Sequence, residues 1–171
     1  MSVLADFQIA NLAAAGMVTP FESELINPAS IDVRLGDSLL IESAASPEMV
    51  PYPFDQHSED NPFEMRPGQF VLACGEPLLD IPPGLACEFK LKSSRARERL
   101  QHLLAGWIDP GFNGSVLTLE FKNVSQFHPV MLWPGKKVGQ LVFHRMDAIP
   151  RRSYAETGRY NGDTTVQASK G

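Results

Sequence analysis

The sequence predicts one mainly β domain over residues 1–171, with a sandwich, jelly-roll or barrel architecture and a short helix before it. A length of 171 residues fits one domain, and 43% hydrophobic residues suffice for a packed core without disulfide or metal support. Short apolar and β-branched runs recur along the chain. The 14 Pro and 13 Gly residues supply turn signals between these runs, as in all-β folds.

The individual elements follow from local patterns. Residues 4–17 predict a helix, because apolar side chains recur at near-helical spacing and Gly16 provides a stop signal. Segment 44–61 is rich in Pro, Ser and acidic residues without periodicity and predicts a surface loop. Segment 151–171 has few large apolar residues, which alone is typical of a frayed end. The predicted strands are 31–35, 39–41, 69–73, 86–91, 116–121, 130–132 and 137–143.

The charge balance excludes some classes of partner. Fifteen Lys and Arg against 20 Asp and Glu give a net charge of −5, which argues against nucleic acid or a membrane surface as the main partner. The N-terminus lacks the basic start of a signal peptide, and no apolar run reaches membrane-spanning length. We therefore expect a cytoplasmic protein in which any anionic ligand is held by a local basic cluster.

Such a cluster lies at residues 90–99, with the sequence KLKSSRARER. It combines five cations with two adjacent hydroxyls, Ser93 and Ser94, and these groups together suit phosphate oxygens. The alternative is a solvated helix start in which a Ser caps the helix N-terminus. The sequence leaves both interpretations open.

A second candidate is segment 104–114, which predicts a strand, a tight turn at Asp109-Pro110-Gly111 and a returning strand. A hairpin of this kind can present backbone donors and acceptors to a planar base, with Asp109 orienting water. Asp in such a tripeptide is, however, often only a turn former.

Glu120 is a third candidate. It shares one strand face with Thr118, whereas Leu117, Leu119 and Phe121 share the other. A carboxylate on an apolar strand either faces solvent or is buried and able to act as a base. Glu59 completes a His-x-Glu triplet without the Cys pair that zinc deaminases carry, so we expect no zinc site here.

Seven sequence blocks follow one another along the chain, namely NPASIDVRLG at 27–36, PGQFVLA at 67–73, KSSRAR at 92–97, AGWIDPGF at 105–112, TLEF at 118–121, WPGKKVGQL at 133–141 and GRY at 158–160. In this order they resemble the dCTP deaminase and dUTPase superfamily, and the match looks closest to dCTP deaminases, including the bifunctional kind that also cleaves dUTP. The resemblance spans nearly the whole chain.

The resemblance implies a distorted β-barrel or jelly-roll of the dUTPase type and a homotrimer with active sites shared between subunits. It also implies a small-molecule deoxynucleoside triphosphate as substrate. Mg²⁺ would be the cofactor, held mainly by the triphosphate and not by direct protein ligands.

The resemblance further implies roles for particular residues. Glu120 matches the general base and proton shuttle of dCTP deaminases, and Asp109 matches the water-orienting Asp of dUTPases. Ser93 and Arg97 would hold phosphates or the catalytic water. The other substrate contacts would come from Lys92, Ser94, Ala105, Gln140, Tyr154, Arg159 and Tyr160, the last three from a tail, 151–171, that closes over the site.

Three departures from the family pattern bear on this site. Glu120 stands one residue farther from Asp109 than is usual, so we expect a β-bulge between Gly114 and Thr118. The stretch from Arg97 to Ala105 is one residue short, with Leu104 where a Thr is common. Asp163 replaces a tail Gln, and its carboxylate would repel a triphosphate unless Mg²⁺ or Arg159 screens it.

Three functions remain open on the sequence. The first is a dCTP deaminase that forms dUTP and ammonia, with or without cleavage of dUTP to dUMP and pyrophosphate. The second is a Mg²⁺-dependent dNTP pyrophosphatase that uses Asp109, and the third is a silent nucleotide-binding protein. We favour deamination, because a pure dUTPase has no use for the carboxylate of Glu120.

Overall fold

A computed structural model describes residues 2–171. It contains fourteen strands and three α-helices. The strands are β1 Ser2–Val3, β2 Val18–Thr19, β3 Ile26–Asn27, β4 Ser30–Ser43, β5 Ser46–Tyr52, β6 Phe63–Met65, β7 Phe70–Gly75, β8 Leu78–Leu79, β9 Leu85–Leu91, β10 Leu100–His102, β11 Trp107–Ile108, β12 Thr118–Asn123, β13 Val130–Leu132 and β14 Lys137–Arg145. The helices are α1 Asp6–Leu12, α2 Ser93–Arg97 and α3 Tyr154–Thr157.

One antiparallel sheet dominates the fold, in the order β10-β12-β7-β4-β14-β9-β11. Strands β1, β3 and β5 attach to its margins, and β13-β6 and β2-β8 form two small separate pairs. The large sheet curls into a half-barrel. The predicted mainly β class and distorted barrel are therefore confirmed.

The core lies on the inner face of this curled sheet. Alternate residues of the long strands point inward and are buried, among them Leu39, Phe121 and Phe143. Helix α1 packs its only buried residue, Ile9, into this core. A wider π-helical turn, Ala13–Met17, follows the helix, and Gly16 within this turn has a φ of +103°, which ends the helical run. The predicted N-terminal helix is present.

The two strands predicted separately at 31–35 and 39–41 form one continuous strand, β4. Strand β4 runs without a break through 31–35 and 39–41, and its pairing with β7 shifts register between Leu35 and Leu39. Gly36 lies at this irregularity, where a Cβ would come within 2.5 Å of Cys74 Sγ. The prediction was wrong because a polar, Gly-containing bulge looks like a turn in sequence.

The predicted surface loop at 44–61 was also wrong. Strand β5 occupies Ser46–Tyr52 and pairs only with β4, so its two prolines sit on an edge strand where their missing N–H groups cost little. A following 3₁₀ turn buries Phe54 completely. Pro and acidic residues masked a strand whose apolar side chains, such as Tyr52, pack on the core.

The hairpin predicted at 104–114 is present only in part. The turn forms, with Phe112 N–H donating to the Asp109 carbonyl at 3.2 Å, but β11 pairs with β9 and not with a returning strand. After the turn, Ser115 forms a single antiparallel β-bridge with Leu79, and the chain then enters β12.

None of the helices within residues 2–171 has the length and hydropathy needed to span a bilayer.

Candidate active site

A cavity of about 570 Å³ opens beside β12, β11 and the C-terminal tail. This volume is typical of small-molecule sites. Its walls are mainly apolar, with a few polar groups that face one another. Its lining includes two small residues, Ala105 and Gly106, and the polar residues His102, Asp109, Thr118, Glu120, Tyr154, Tyr160, Asp163, Gln167 and Ser169.

Glu120 lies on the wall formed by β12. The pairing of β12 with β7 is regular from Thr118 to Lys122, so Thr118 and Glu120 share the cavity face while Leu119 and Phe121 enter the core. The Glu120 side chain is 28% exposed, yet its Oε2 atom is buried and makes no hydrogen bond within the described residues. The exposed part of the side chain is therefore on the site face, whereas Oε2 lies against His102.

His102 faces Glu120 across the β10–β12 pair. Its Nε2 lies 3.3 Å from Glu120 Oε2, without the geometry of a hydrogen bond, and its ring packs edge-on against Phe89 and Phe121. The Leu103 N–H donates to the Glu120 carbonyl at 3.2 Å. A lone His carries no motif, so its proximity to Glu120 was missed in the sequence.

Residues 105–109 form one wall of the cavity, called the hairpin wall, which is held through its backbone. Phe89 N–H donates to the Gly106 carbonyl at 2.8 Å, and a Cβ on Gly106 would meet the Phe89 carbonyl oxygen at 2.5 Å. Only glycine permits this approach of β11 to β9. Ala105 and Asp109 are exposed on either side of it, with Asp109 accepting a hydrogen bond from Trp107 Nε1 at 2.9 Å.

The tail forms the remaining wall. Tyr154 N–H donates to the Pro110 carbonyl, Val116 N–H donates to the Asp163 carbonyl, and Gln167 N–H donates to Thr118 Oγ1 at 3.0 Å. The tail is therefore attached to the cavity wall and is not the frayed end that its composition alone indicates. Small polar residues gave no apolar signal, because the tail is attached mainly by hydrogen bonds.

Asp163 is neutralised within the tail. Lys170 Nζ donates to both of its carboxylate oxygens, at 2.8 and 2.6 Å, and also lies over the Tyr160 ring. The screening group is therefore Lys170, whereas Arg159 is exposed and has no ion pair within residues 2–171. The proposed repulsion of a triphosphate by Asp163 is thereby reduced.

The basic cluster lies elsewhere on the chain. Helix α2 begins at Ser93 with no side-chain cap, so the interpretation of a Ser as helix cap is wrong. Ser93, Ser94 and Arg97 are exposed. Arg97 lines a second cavity of about 530 Å³ with Arg95, Arg99 and Lys136.

Within that cluster the cations differ in their partners. Lys90 pairs with Glu88, Lys92 with Asp32, and Arg95 with Glu98, whereas Arg97 and Arg99 make no ion pair among the described residues. The two unpaired guanidinium groups are the ones available to an external anion.

Lys92 and Gln140 meet at a polar cluster where β4, β9 and β14 adjoin. Lys92 Nζ donates to Asp32 Oδ1 at 2.5 Å, and Gln140 accepts a hydrogen bond from Ser30 at 2.9 Å. Burial raises the pKa of Asp32, but hydrogen bonds from Lys92 and Asn27, with the charges of Lys92 and Lys137, outweigh it and leave the pKa lowered. The block at 27–36 was the signal for Ser30 and Asp32, although neither was singled out.

One chain thus brings together only part of the expected set. Glu120, Asp109, Ala105, Tyr154 and Tyr160 line the main cavity. The other expected residues do not line it, namely Lys92, Ser93, Ser94, Arg97, Gln140 and Arg159.

The extra residue before Glu120 is absorbed outside the ladder. Gly114 adopts φ +57° in an irregular turn, Ser115 Oγ donates to the Asn113 carbonyl, and β12 then pairs in register. The predicted β-bulge is therefore a turn that precedes the strand.

A metal site made of protein ligands alone is not found within residues 2–171, where no three His, Cys, Asp or Glu side chains converge. Mg²⁺ is commonly held by substrate phosphates with few or no carboxylates.

Comparison with known proteins decides the family. A family model described as dCTP deaminase-like matches residues 3–146. The chain belongs to the dCTP deaminase-like family. Relatives named "dCTP deaminase, dUMP-forming" include those of Acidothermus cellulolyticus, 38% identical over 94% of this chain and 90% of the relative, and Leifsonia xyli subsp. xyli, 37% identical over 88% and 80%.

Solved structures agree on the fold. The 2'-deoxycytidine 5'-triphosphate deaminase of Agrobacterium tumefaciens superposes with a TM-score of 0.67 at 18% identity, over 84% of this chain. This chain spans 48% of that structure's length. EIAV dUTPase superposes with a TM-score of 0.50 at 15% identity, over 80% of this chain and 89% of that one. The dUTPase-like fold of the family is therefore present.

Proposed function

We propose that this protein deaminates dCTP and then cleaves the product to dUMP and pyrophosphate, in the nucleotide metabolism of the cytoplasm. The relatives named dUMP-forming support both steps. The observation that carries the proposal is Glu120, whose side chain is 28% exposed and lines the same base-sized cavity as residues 105–109.

Glu120 is the general base of the first step. Its carboxylate takes a proton from water, and the oxygen attacks C4 of the cytosine ring. Glu120 passes this proton to N3 and then carries the remaining hydroxyl proton to the leaving nitrogen, so that the C4–N bond breaks and water and dCTP become dUTP and ammonia. No zinc takes part. Hairpin backbone groups hold the base edge and stabilise the tetrahedral intermediate.

Asp109 serves the second step. Its carboxylate orients a water molecule that attacks the α-phosphorus, an O–P bond forms, and the bond to the pyrophosphate oxygen breaks. Bound Mg²⁺, held by the triphosphate oxygens, would neutralise the charge of the leaving group. Two carboxylates in one cavity thus serve two hydrolytic steps.

The triphosphate contacts come from a neighbouring protomer of a homotrimer. Arg97, with an exposed and unpaired guanidinium, and the exposed hydroxyls of Ser93 and Ser94 bind phosphate oxygens. Their absence from the wall of the main cavity supports an active site completed by a second chain. Arg159 and Tyr160 add tail contacts to the same ligand.

A product assay tests the two steps. Protein is incubated with dCTP and Mg²⁺, and ammonia, dUMP and pyrophosphate are quantified. Glu120→Gln should lower ammonia release at least about a hundredfold, whereas Glu64→Gln, an exposed strand carboxylate, should not. Full ammonia release by Glu120→Gln contradicts the proposed base. Pyrophosphate without ammonia from wild-type protein would favour the pyrophosphatase alternative.

Subunit mixing tests the shared site. We expect Arg97→Ala and Glu120→Gln chains to be inactive alone. After co-refolding in equal amounts, about a quarter of the active sites should combine an intact Arg97 with an intact Glu120, and ammonia release should recover to about a quarter of the wild-type level. An active site confined to one chain would regain nothing. Co-refolded Glu120→Gln with Asp109→Asn is the control. Both residues lie in the same cavity, so this mixture should release no more ammonia than its Asp109→Asn chains release by themselves.

A further inference from the structure

Trp107 is the hairpin residue that no part of the proposed chemistry uses. Its indole Nε1 donates a hydrogen bond to Asp109 Oδ1 at 2.9 Å, and both residues line the main cavity. Trp107 is 53% exposed, so its ring borders the cavity and is also open to solvent.

The ring is held on its other side. It stacks on His144 with centroids 6.0 Å apart and an angle of 26° between planes. Its backbone pairs with Glu88 in β9, and the next residue, Ile108, pairs with Cys87 and is buried. Strand pairing and stacking therefore restrict the rotamers of the indole.

The contact suits the task of Asp109. An indole N–H is a neutral donor, so it fixes the orientation of the carboxylate while leaving its negative charge intact. It occupies Oδ1 and leaves Oδ2 as an acceptor for water. The Asp109 backbone is fixed separately, because its carbonyl accepts the Phe112 N–H at 3.2 Å.

We infer that Trp107 is a positioning residue for Asp109 and sets how much of the deaminated nucleotide proceeds to dUMP. This inference rests on the proposed function. The indole aligns Oδ2 towards the water that attacks the α-phosphorus, whereas Glu120 acts at the base from β12. Loss of the indole N–H therefore affects pyrophosphate release more than ammonia release.

The main test is Trp107→Phe, which keeps an aromatic ring and removes the donor. Ammonia and pyrophosphate are measured in the same dCTP reaction, and pyrophosphate also from dUTP. The ratio of pyrophosphate to ammonia should fall about tenfold, the worth of one hydrogen bond to a charged group. The matched control, Trp133→Phe, should keep the wild-type ratio. An unchanged ratio in Trp107→Phe overturns the inference.

A spectroscopic test covers variants that lose all activity. Trp133→Phe leaves Trp107 as the only tryptophan, and adding Asp109→Ala should shift its emission. Unchanged emission overturns the contact on which the inference depends. Wild-type protein that releases ammonia without pyrophosphate overturns the inference but keeps deamination, whereas release of neither product overturns both.

Discussion

His102 Nε2 and Glu120 Oε2 lie 3.3 Å apart at a buried position, and neither atom has another polar partner among residues 2–171. The imidazole is packed between two phenylalanine rings, so the distance is set by the core and not by a flexible side chain. This arrangement places an imidazole nitrogen beside the carboxylate before any ligand enters.

We expect His102→Phe to lower kcat for ammonia release about tenfold with little change in KM. The substituted ring keeps the packing but removes the nitrogen beside Glu120. Steady-state kinetics on dCTP measure both constants, and His128→Phe, at an exposed position, is the control. A wild-type kcat in His102→Phe would show that Glu120 needs no neighbour.

Gly106→Ala should destabilise the hairpin wall. The new Cβ meets the Phe89 carbonyl oxygen, a backbone atom that cannot move aside. We expect a loss of about 1–3 kcal/mol in the free energy of unfolding and a higher KM for dCTP. Gly84→Ala, where a Cβ meets nothing within 4 Å, is the matched control. Urea unfolding at one fixed protein concentration compares the two, and equal stabilities would contradict the predicted clash.

The Lys170–Asp163 pair should control triphosphate affinity. Lys170→Met leaves the Asp163 carboxylate unscreened beside the cavity, and we expect KM for dCTP to rise about threefold to tenfold. Adding Asp163→Asn should restore the wild-type KM, because it removes the repelling charge. If the double variant binds as weakly as Lys170→Met, the lysine acts through the Tyr160 ring and not through Asp163.

Asp32 should make folding sensitive to acid. Its pKa in the folded chain is lowered below the ordinary value of 3.8, despite partial burial, by Lys92, Asn27 and Lys137. A lowered pKa contributes stability above the unfolded value and loses it as pH falls through the folded one. Asp32→Asn should therefore cost about 1–2 kcal/mol at pH 7.

Urea unfolding of wild type and Asp32→Asn at several pH values measures this effect. The difference in unfolding free energy should be complete above about pH 5 and shrink below about pH 4. A difference that stays constant down to pH 2.5 would mean that packing, and not charge, accounts for the contribution of Asp32.

The sequence predicted the parts of the fold that depend on local apolar patterns. The helix up to Gly16 and the strand β13, Val130–Leu132, follow from spacing and turn signals alone. Strand β5 did not, because its prolines are tolerated only at an edge, which is a property of the assembled sheet. The single strand β4 was divided for a similar reason.

The site was predictable to the same extent. Alternation along β12 placed Glu120 on one face with Thr118, and the turn at Asp109 followed from Asp-Pro-Gly. The contacts of His102 and Lys170 were not predictable, because each joins residues whose proximity depends on strand pairing or on the path of the tail.

The backbone amide of Gln167 reaches the hydroxyl of Thr118, two positions from Glu120 on the same face of β12. We expect that lifting the last residues away breaks that bond, parts Lys170 from Tyr160 and opens the Glu120 side of the cavity to bulk water. Under the proposed function, product departure and rehydration of Glu120 then depend on the same movement of the tail.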